Sequence, residues 1–201
     1  MAIIVSLLLE SSPSSLPQAM HRQLLRDRLA EYLTRYPQEA PVAARILAVV
    51  DADPRCFERD CWLGHITGSA WILDHTGTRT LLTHHRKLER WLQLGGHSDG
   101  DPDTARVAQR EGVEESGLVL ERLQDTVFDI DVHEIPARGL EPAHHHLDLR
   151  FLFRVQGPET FTVSAESHDL AWVPLAELER YTDEESVLRL ARKTLPATPA
   201  V

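Results

Sequence analysis

The sequence predicts an α/β or α+β sandwich preceded by a helical N-terminal extension. Three observations carry this prediction. From His65 onward, segments of period-two alternation are mixed with segments of helical periodicity. Ahead of them, residues 16–36 carry a one-sided apolar stripe that ends at Pro37. Apolar residues make up 42% of the 201 residues, enough for a proper core and too many for a disordered chain.

The elements follow in order. Leu25, Leu29, Tyr32 and Tyr36 recur at steps of three and four, which predicts a helix over 16–36 with a Ser15–Gln18 capping box. Pro37 and Pro41 break it, and a second helix is expected over about 41–50. Neither helix contains evident chemistry, so both are expected to pack on the main domain or on another subunit. HITGSAWIL (65–73) reads as a strand, His75-Thr-Gly77 as a turn and RTLLTHH (79–85) as a second strand, together a hairpin. Residues 103–116 read as a helix, 125–133 and 147–155 as strands, and Leu170–Val173 as another strand. Over 147–155, apolar Leu147, Leu149, Phe151, Phe153 and Val155 alternate with residues that include Asp148 and Arg150, the mark of a half-buried strand. A last helix is expected from Thr182, with Glu185 completing a capping box and Arg192 and Lys193 at its C-terminal end.

Charge narrows the function. Thirty-one acids stand against 21 Lys and Arg, a net charge of −10. That balance argues against a nucleic-acid polymer or an anionic membrane as partner. A phosphate substrate would need a divalent cation to mediate its approach. Cys56 and Cys61 are too few for a disulfide framework and do not form a CxxC pair. The start, MAIIVSLLLESS, is a poor signal peptide and too short to span a bilayer, so a soluble, cytoplasmic protein is expected.

The most informative segment is residues 95–118, GGHSDGDPDTARVAQREGVEESGL. On a helix, Glu111, Glu114 and Glu115 stand at i, i+3 and i+4 and share one face. Packed together, they repel, so the face is either well solvated or a site for a hard cation such as Mg²⁺ or Mn²⁺. The flanks favour a built site. Gly95-Gly96 gives a tight loop, Asp101 an N-cap, Pro102 a first helical residue, Asp103 a first-turn charge and Gly117 a left-handed C-cap.

With these residues in register, the segment resembles the signature box of the Nudix hydrolases. The pattern is Gly, five residues, Glu, seven residues, then Arg-Glu-apolar-x-Glu-Glu-x-Gly-apolar. Gly96, Arg110, Glu111, Glu114, Glu115, Gly117 and Leu118 match it. Pro102 stands where the family has its first Glu, which commonly helps hold the loop or the metals, and Gly112 where it has an apolar residue. Asp101 or Asp103 could stand in for the missing Glu. Gly112 costs about 1 kcal/mol of helix propensity but allows close packing on a sheet.

The resemblance implies a Nudix-type α/β/α sandwich with a mixed sheet over 61–201, behind an extension over 1–60. It implies Mg²⁺ or Mn²⁺ on Glu111, Glu114 and Glu115, and hydrolysis of a diphosphate linkage in a nucleoside diphosphate-X or related small molecule. Glu111 or Glu115 is the candidate general base, with Glu166 on a loop as the fallback. Arg110 belongs to the catalytic loop–helix–loop, chiefly by pairing with its acidic neighbours. The alternative within the same fold is a ligand-binding sensor that does not cleave, and its usual mark, erosion of the acidic triad, is absent here.

Ten of the eleven histidines lie between His65 and His168. His144 and His146 project to one face together with Asp148. His65, His97, His144 and His146 are then either ordinary surface, a substrate-contacting wall, or a second divalent-metal site of a type suited to Zn²⁺. The segments His65-Ile-Thr-Gly-Ser-Ala-Trp71 and Gly95-Gly-His97 are similar to those through which type I isopentenyl diphosphate isomerases bind a metal. That family's catalytic Cys is replaced by Gly95, and its box is degenerate, so isomerase chemistry ranks below hydrolysis. Arg86 and Lys87, in the run His84–Lys87 with Arg90, either steer phosphate or mark an exposed strand end. Trp62, Trp71, Trp91 and Trp172 are expected mostly in the core, with Trp91 or Trp71 able to stack on a ring. The N-terminal helices either close the pocket or build a homodimer.

Overall fold

A computed structural model describes residues 18–195. Two helices come first, α1 (Gln18–Arg35) and α2 (Ala40–Ala52), joined by a short turn at Pro37–Glu39. Strands β1 (His65–Leu73), β2 (Arg79–His85), β3 (Arg90–Leu92) and β4 (Leu94–His97) lead into α3 (Thr104–Ser116). Strands β5 (Val119–Arg122), β6 (Asp129–Ile135), β7 (His144–Gln156) and β8 (Ser167–Pro174) follow, and α4 (Glu185–Thr194) is the last described element. Ser15 of the expected capping box, and the apolar start of the chain, lie outside the described residues. Among the described residues, no helix is long and apolar enough to cross a membrane.

The sheet is mixed. β1 is buried along its whole length because it has neighbours on both edges and layers on both faces. It runs parallel to β7 from His65↔His146 to Leu73↔Arg154, and antiparallel to β4 from Thr67↔His97 to Ala70↔Leu94. β7 is long enough to take β6 along its first half and β5 along its end. β2 pairs with β8 and β3. One face of the sheet, with Ile66, Ala70, Leu147 and Phe151, packs against Leu25 and Leu29 of α1, Ile46 of α2 and Ala105 and Ala108 of α3. The other face, with Trp71, Leu82 and Val173, packs against Val187 and Leu190 of α4. The result is the expected α/β/α sandwich.

A buried ion network ties the layers together. Asp129 on β6 accepts from Arg189 and Lys193 of α4 and pairs with Arg150 of β7 at 3.3 Å. Lys193 also donates to Tyr32 of α1 at 2.5 Å and pairs with Glu39 at 2.7 Å. Each buried charge thus has opposite charges beside it, as a charge in a dry interior requires.

Several expectations need correction. The β1–β2 hairpin exists only at its tip, where Leu73 faces Thr80. Beyond the tip, β1 is taken by β4 and β7, and β2 by β8 and β3. The strand expected at 125–133 begins only at Asp129, where pairing with Arg150 of β7 starts; Val127 and Phe128 are buried as an approach segment. Gly95 and Gly96 are strand residues of β4 rather than a loop. The N-cap of α3 is Asp103, not Asp101, because both Asp101 oxygens are taken by the Arg106 guanidinium and one of them also by the Asp103 amide. The last helix begins at Glu185, since Thr182 closes the preceding turn and its hydroxyl accepts from the Glu184 amide. Trp62 is 42% exposed instead of in the core.

Candidate functional site

The site is built on the docking of α3 against β1 and β4. Gly68 lets the helix approach, since a Cβ there would lie 2.7 Å from the Thr104 carbonyl oxygen. Gly112 does the same from the helix side, with Leu120 Cδ1 at 2.8 Å and Ala70 Cβ at 3.0 Å from where its Cβ would be. Gly117, at φ +71°, ends the helix in the left-handed conformation its lack of a side chain favours.

This docking carries the glutamates to β4. Glu115 is only 7% exposed, and its Oε1 accepts from the Gly95 amide at 2.8 Å. Burial pushes its carboxyl up to about 8; the Gly95 amide opposes the rise, and Glu111 and Glu166 add to it. Glu111 lies against Gly96, where a Cβ would be 2.5 Å from its Cδ. Burial raises the Glu111 pKa as well, opposed by Arg110 and reinforced by Glu114 and Glu166. Arg110 donates from one nitrogen to Glu111 Oε1 at 2.7 Å and to the His97 carbonyl at 2.9 Å. Glu114 is exposed beside them. Glu166 comes from the loop before β8, close enough to act electrostatically on both buried glutamates.

Arg86 and Lys87 are both exposed on the turn after β2. Arg86 donates to the Ser167 carbonyl at 3.0 Å, and its amide to the Glu166 carbonyl at 3.1 Å, so it holds the loop that carries Glu166. Lys87 makes no comparable side-chain bond among the described residues. Trp91 stacks on His84 at 5.1 Å and meets Tyr181 edge-on at 5.7 Å. Trp71 is fully buried, which removes it as a stacking platform.

The histidines converge at the His97 end of β4. His65, His144 and His146 bring one ring nitrogen each within 4.8 Å of one another, a donor set that could hold a metal. The His97 ring joins them, 5.0 Å from His65 and 5.1 Å from His146. Burial, together with neighbouring imidazoles, lowers the pKa of His65 to about 4 and that of His146 further, so both rings are neutral at pH 7. Sequence reasoning missed His133, whose ring stands 5.4 Å from His146. The β6–β7 register places the two residues opposite each other, and that register is not written in local sequence. It also missed Asp148 as an organiser: buried on β7, it accepts from Thr67, Ser69 and Arg150.

Fold and site together define an α/β/α sandwich with a glutamate-bearing helix docked at its central strand. A NUDIX domain family model matches residues 65–193. The chain belongs to the Nudix hydrolase family. Among solved structures, an Ap4A hydrolase from C. elegans is 21% identical with a TM-score of 0.52, covering 64% of this chain and 93% of its own. A dihydroneopterin triphosphate pyrophosphohydrolase from E. coli is 16% identical with a TM-score of 0.51, covering 64% and 92%. A Nudix family hydrolase from Clostridium perfringens is 21% identical with a TM-score of 0.50, covering 65% and 95%. At these identities the likeness concerns the fold. No curated protein matches the chain.

Proposed function

We propose that the protein hydrolyses a diphosphate linkage in a nucleoside diphosphate-X or related small molecule, with Mg²⁺ or Mn²⁺ held by Glu111, Glu114 and Glu115. One observation supports this above the others. Glu111 and Glu166 act on Glu115, and Glu114 and Glu166 on Glu111, with Arg110 as the cation bonded to Glu111, while burial raises the Glu115 carboxyl to about 8. Such a surplus of carboxylate is costly unless a cation shares it, so the donor set fits a hard divalent ion. When bound, that ion supplies charge neutralisation of the diphosphate and a more acidic water.

The chain's own residues do the rest. Water attacks one phosphorus of the diphosphate, its proton passes to a carboxylate, and the bond to the leaving phosphate oxygen breaks. Glu111 is the proton acceptor: Arg110 fixes its orientation, and its raised pKa brings it toward working pH, where a general base is most effective. Glu115 is fixed by the Gly95 amide and serves as a holder. Glu166 faces both from its loop, and Arg86 keeps that loop in place.

Pro102, at the box position where the pattern has Glu, is the observation that favours a non-cleaving sensor. A panel of nucleoside diphosphate derivatives, nucleoside triphosphates and dinucleoside polyphosphates, assayed for phosphate release with Mg²⁺, Mn²⁺ or chelator, separates the readings. The expected result is cation-stimulated turnover that falls on the order of 10²–10⁴-fold in Glu111→Gln, and is abolished, with weakened metal binding, in Glu114→Gln and Glu115→Gln. Unchanged turnover in both holder variants refutes the assignment, and ligand binding without turnover establishes the sensor.

A further inference from the structure

The histidine cluster is set apart from the glutamates by its chemistry. Its members come from β1, β4 and β7, and the parallel register brings His65 directly beside His146. His65 is 1% exposed, and neither of its ring nitrogens has a hydrogen-bond partner in the protein. The Cys61 carbonyl that faces the ring lies outside hydrogen-bonding geometry. A buried polar atom without a partner is costly to keep, and one side chain here carries two. A packing histidine would have at least one bond.

The ring spacings fit one ion. With metal–nitrogen bonds of about 2.0–2.1 Å, each imidazole centre stands about 3.2 Å from the ion, so centres in a tetrahedral set lie about 5.2 Å apart. The separations are 4.8 Å for His65–His144 and for His65–His146 and 5.4 Å for His144–His146, and the His97 ring stands 5.0 Å from His65 and 5.1 Å from His146. Outer contacts agree. His144 Nδ1 donates to the Pro142 carbonyl at 2.9 Å, which leaves Nε2 as the free donor, the usual arrangement of a ligating histidine.

We infer that His65, His144 and His146 hold a single borderline transition-metal ion of the Zn²⁺ class beside the His97 ring, at a site distinct from the carboxylate site on α3. Three imidazole nitrogen donors without a carboxylate disfavour Mg²⁺ and suit Zn²⁺. The ion pins β1 to β7 beside β4, whose Gly95 amide and Gly96 surface seat Glu115 and Glu111. The inference rests on the fold and the ring geometry and does not depend on hydrolase activity.

The test uses the full chain expressed without a histidine tag and stripped of metal by chelation. Titration with Co²⁺ should give the intense visible bands of tetrahedral cobalt at one ion per chain, and Zn²⁺ should displace it. Zn²⁺ should raise the melting temperature of wild type and leave that of His144→Gln/His146→Gln unchanged. His144→Gln/His146→Gln should weaken Zn²⁺ binding by more than the roughly 10–100-fold that loss of an outer-shell partner costs. Glu114→Gln should leave it unchanged. If the double variant does not fold, the wild-type cobalt spectrum and stoichiometry decide alone. A pale octahedral spectrum, or equal Zn²⁺ affinity in wild type and double variant, overturns the inference. Neither result depends on whether the chain cleaves a diphosphate.

Discussion

The Arg28 guanidinium of α1 donates to Asp103 Oδ1 at 2.7 Å and to Thr104 Oγ1 at 3.1 Å, so the N-terminal helix grips the first turn of α3. Asp103 is also the N-cap of that helix. The loop that Pro102 leaves without a glutamate is therefore fixed from outside the box, by a helix that the family model does not include. Arg28→Ala and Asp103→Ala should each cost about 1–2 kcal/mol. Because the two share one contact, the double variant should cost less than the sum. Urea unfolding of the three variants checks this, and strict additivity would mean that the contact carries no energy of its own.

The same pair has a pH signature. Burial pulls the Asp103 carboxyl upward, but the Arg28 hydrogen bond and charge, with the Arg106 amide, hold it below its ordinary range. A carboxyl depressed in the folded state stabilises fully above its unfolded pKa and loses that contribution as pH falls through its folded value. Wild type should lose stability to acid below about pH 4, where Arg28→Ala shows a shallower loss. Unfolding curves from about pH 2.5 to 7 read the difference across that unfolded value, and parallel curves would show that the contact does not stabilise the fold.

Gly96 has no room for a side chain, because the Glu111 carboxylate occupies the place of its Cβ. The obstacle is the end of a flexible side chain, so Gly96→Ala should fold with a small loss of stability and displace Glu111. Turnover should fall by roughly ten- to a hundredfold, since small displacements of a catalytic group carry that scale of cost. Steady-state kinetics beside a thermal melt checks both halves. A variant with wild-type turnover would remove Glu111 from the reaction or Gly96 from its positioning.

Gly112 sets two effects against each other. Alanine there would gain about 1 kcal/mol of helix propensity. Its Cβ would press on Leu120 and Ala70, and overpacking a tight interface costs about 1–3 kcal/mol. The packing loss should win, so Gly112→Ala melts at lower temperature than wild type. A higher melting temperature would mean that α3 can shift outward freely.

Local chemistry makes α3 legible in the sequence itself. Its periodicity, the Gly117 cap and the i, i+3, i+4 glutamates are all written within one segment. The partners that complete the site are not. β1 pairs with β7 across roughly eighty residues of sequence, Thr67↔Asp148, and no local pattern states that register. Asp129, Arg150 and Lys193 are ordinary charges in sequence and a buried network only after α4 docks. His144 and His146 are readable as sharing a face, whereas their convergence with His65 depends on the parallel pairing.

Glu115 provides the sharpest pH prediction. Its carboxyl is raised from an ordinary 4.5 to about 8 by burial, despite the Gly95 amide. An acid with a raised folded-state pKa favours the folded chain while protonated. That contribution is whole below pH 4.5, erodes between 4.5 and about 8, and is gone above. At about 1.36 kcal/mol per pH unit, the span is worth a few kcal/mol. In chelator, wild type should therefore lose stability as pH rises from 4.5 to about 8. Glu115→Gln, which keeps an acceptor for the Gly95 amide and carries no charge, should lack that slope and be the more stable chain above that range. Adding Mg²⁺ there should stabilise wild type and leave the variant nearly unchanged, because the cation takes over the charge that burial penalises. Melting curves across that range and just beyond it, with and without Mg²⁺, decide it: equal slopes for the two chains in chelator would mean that Glu115 ionises as freely in the fold as in water.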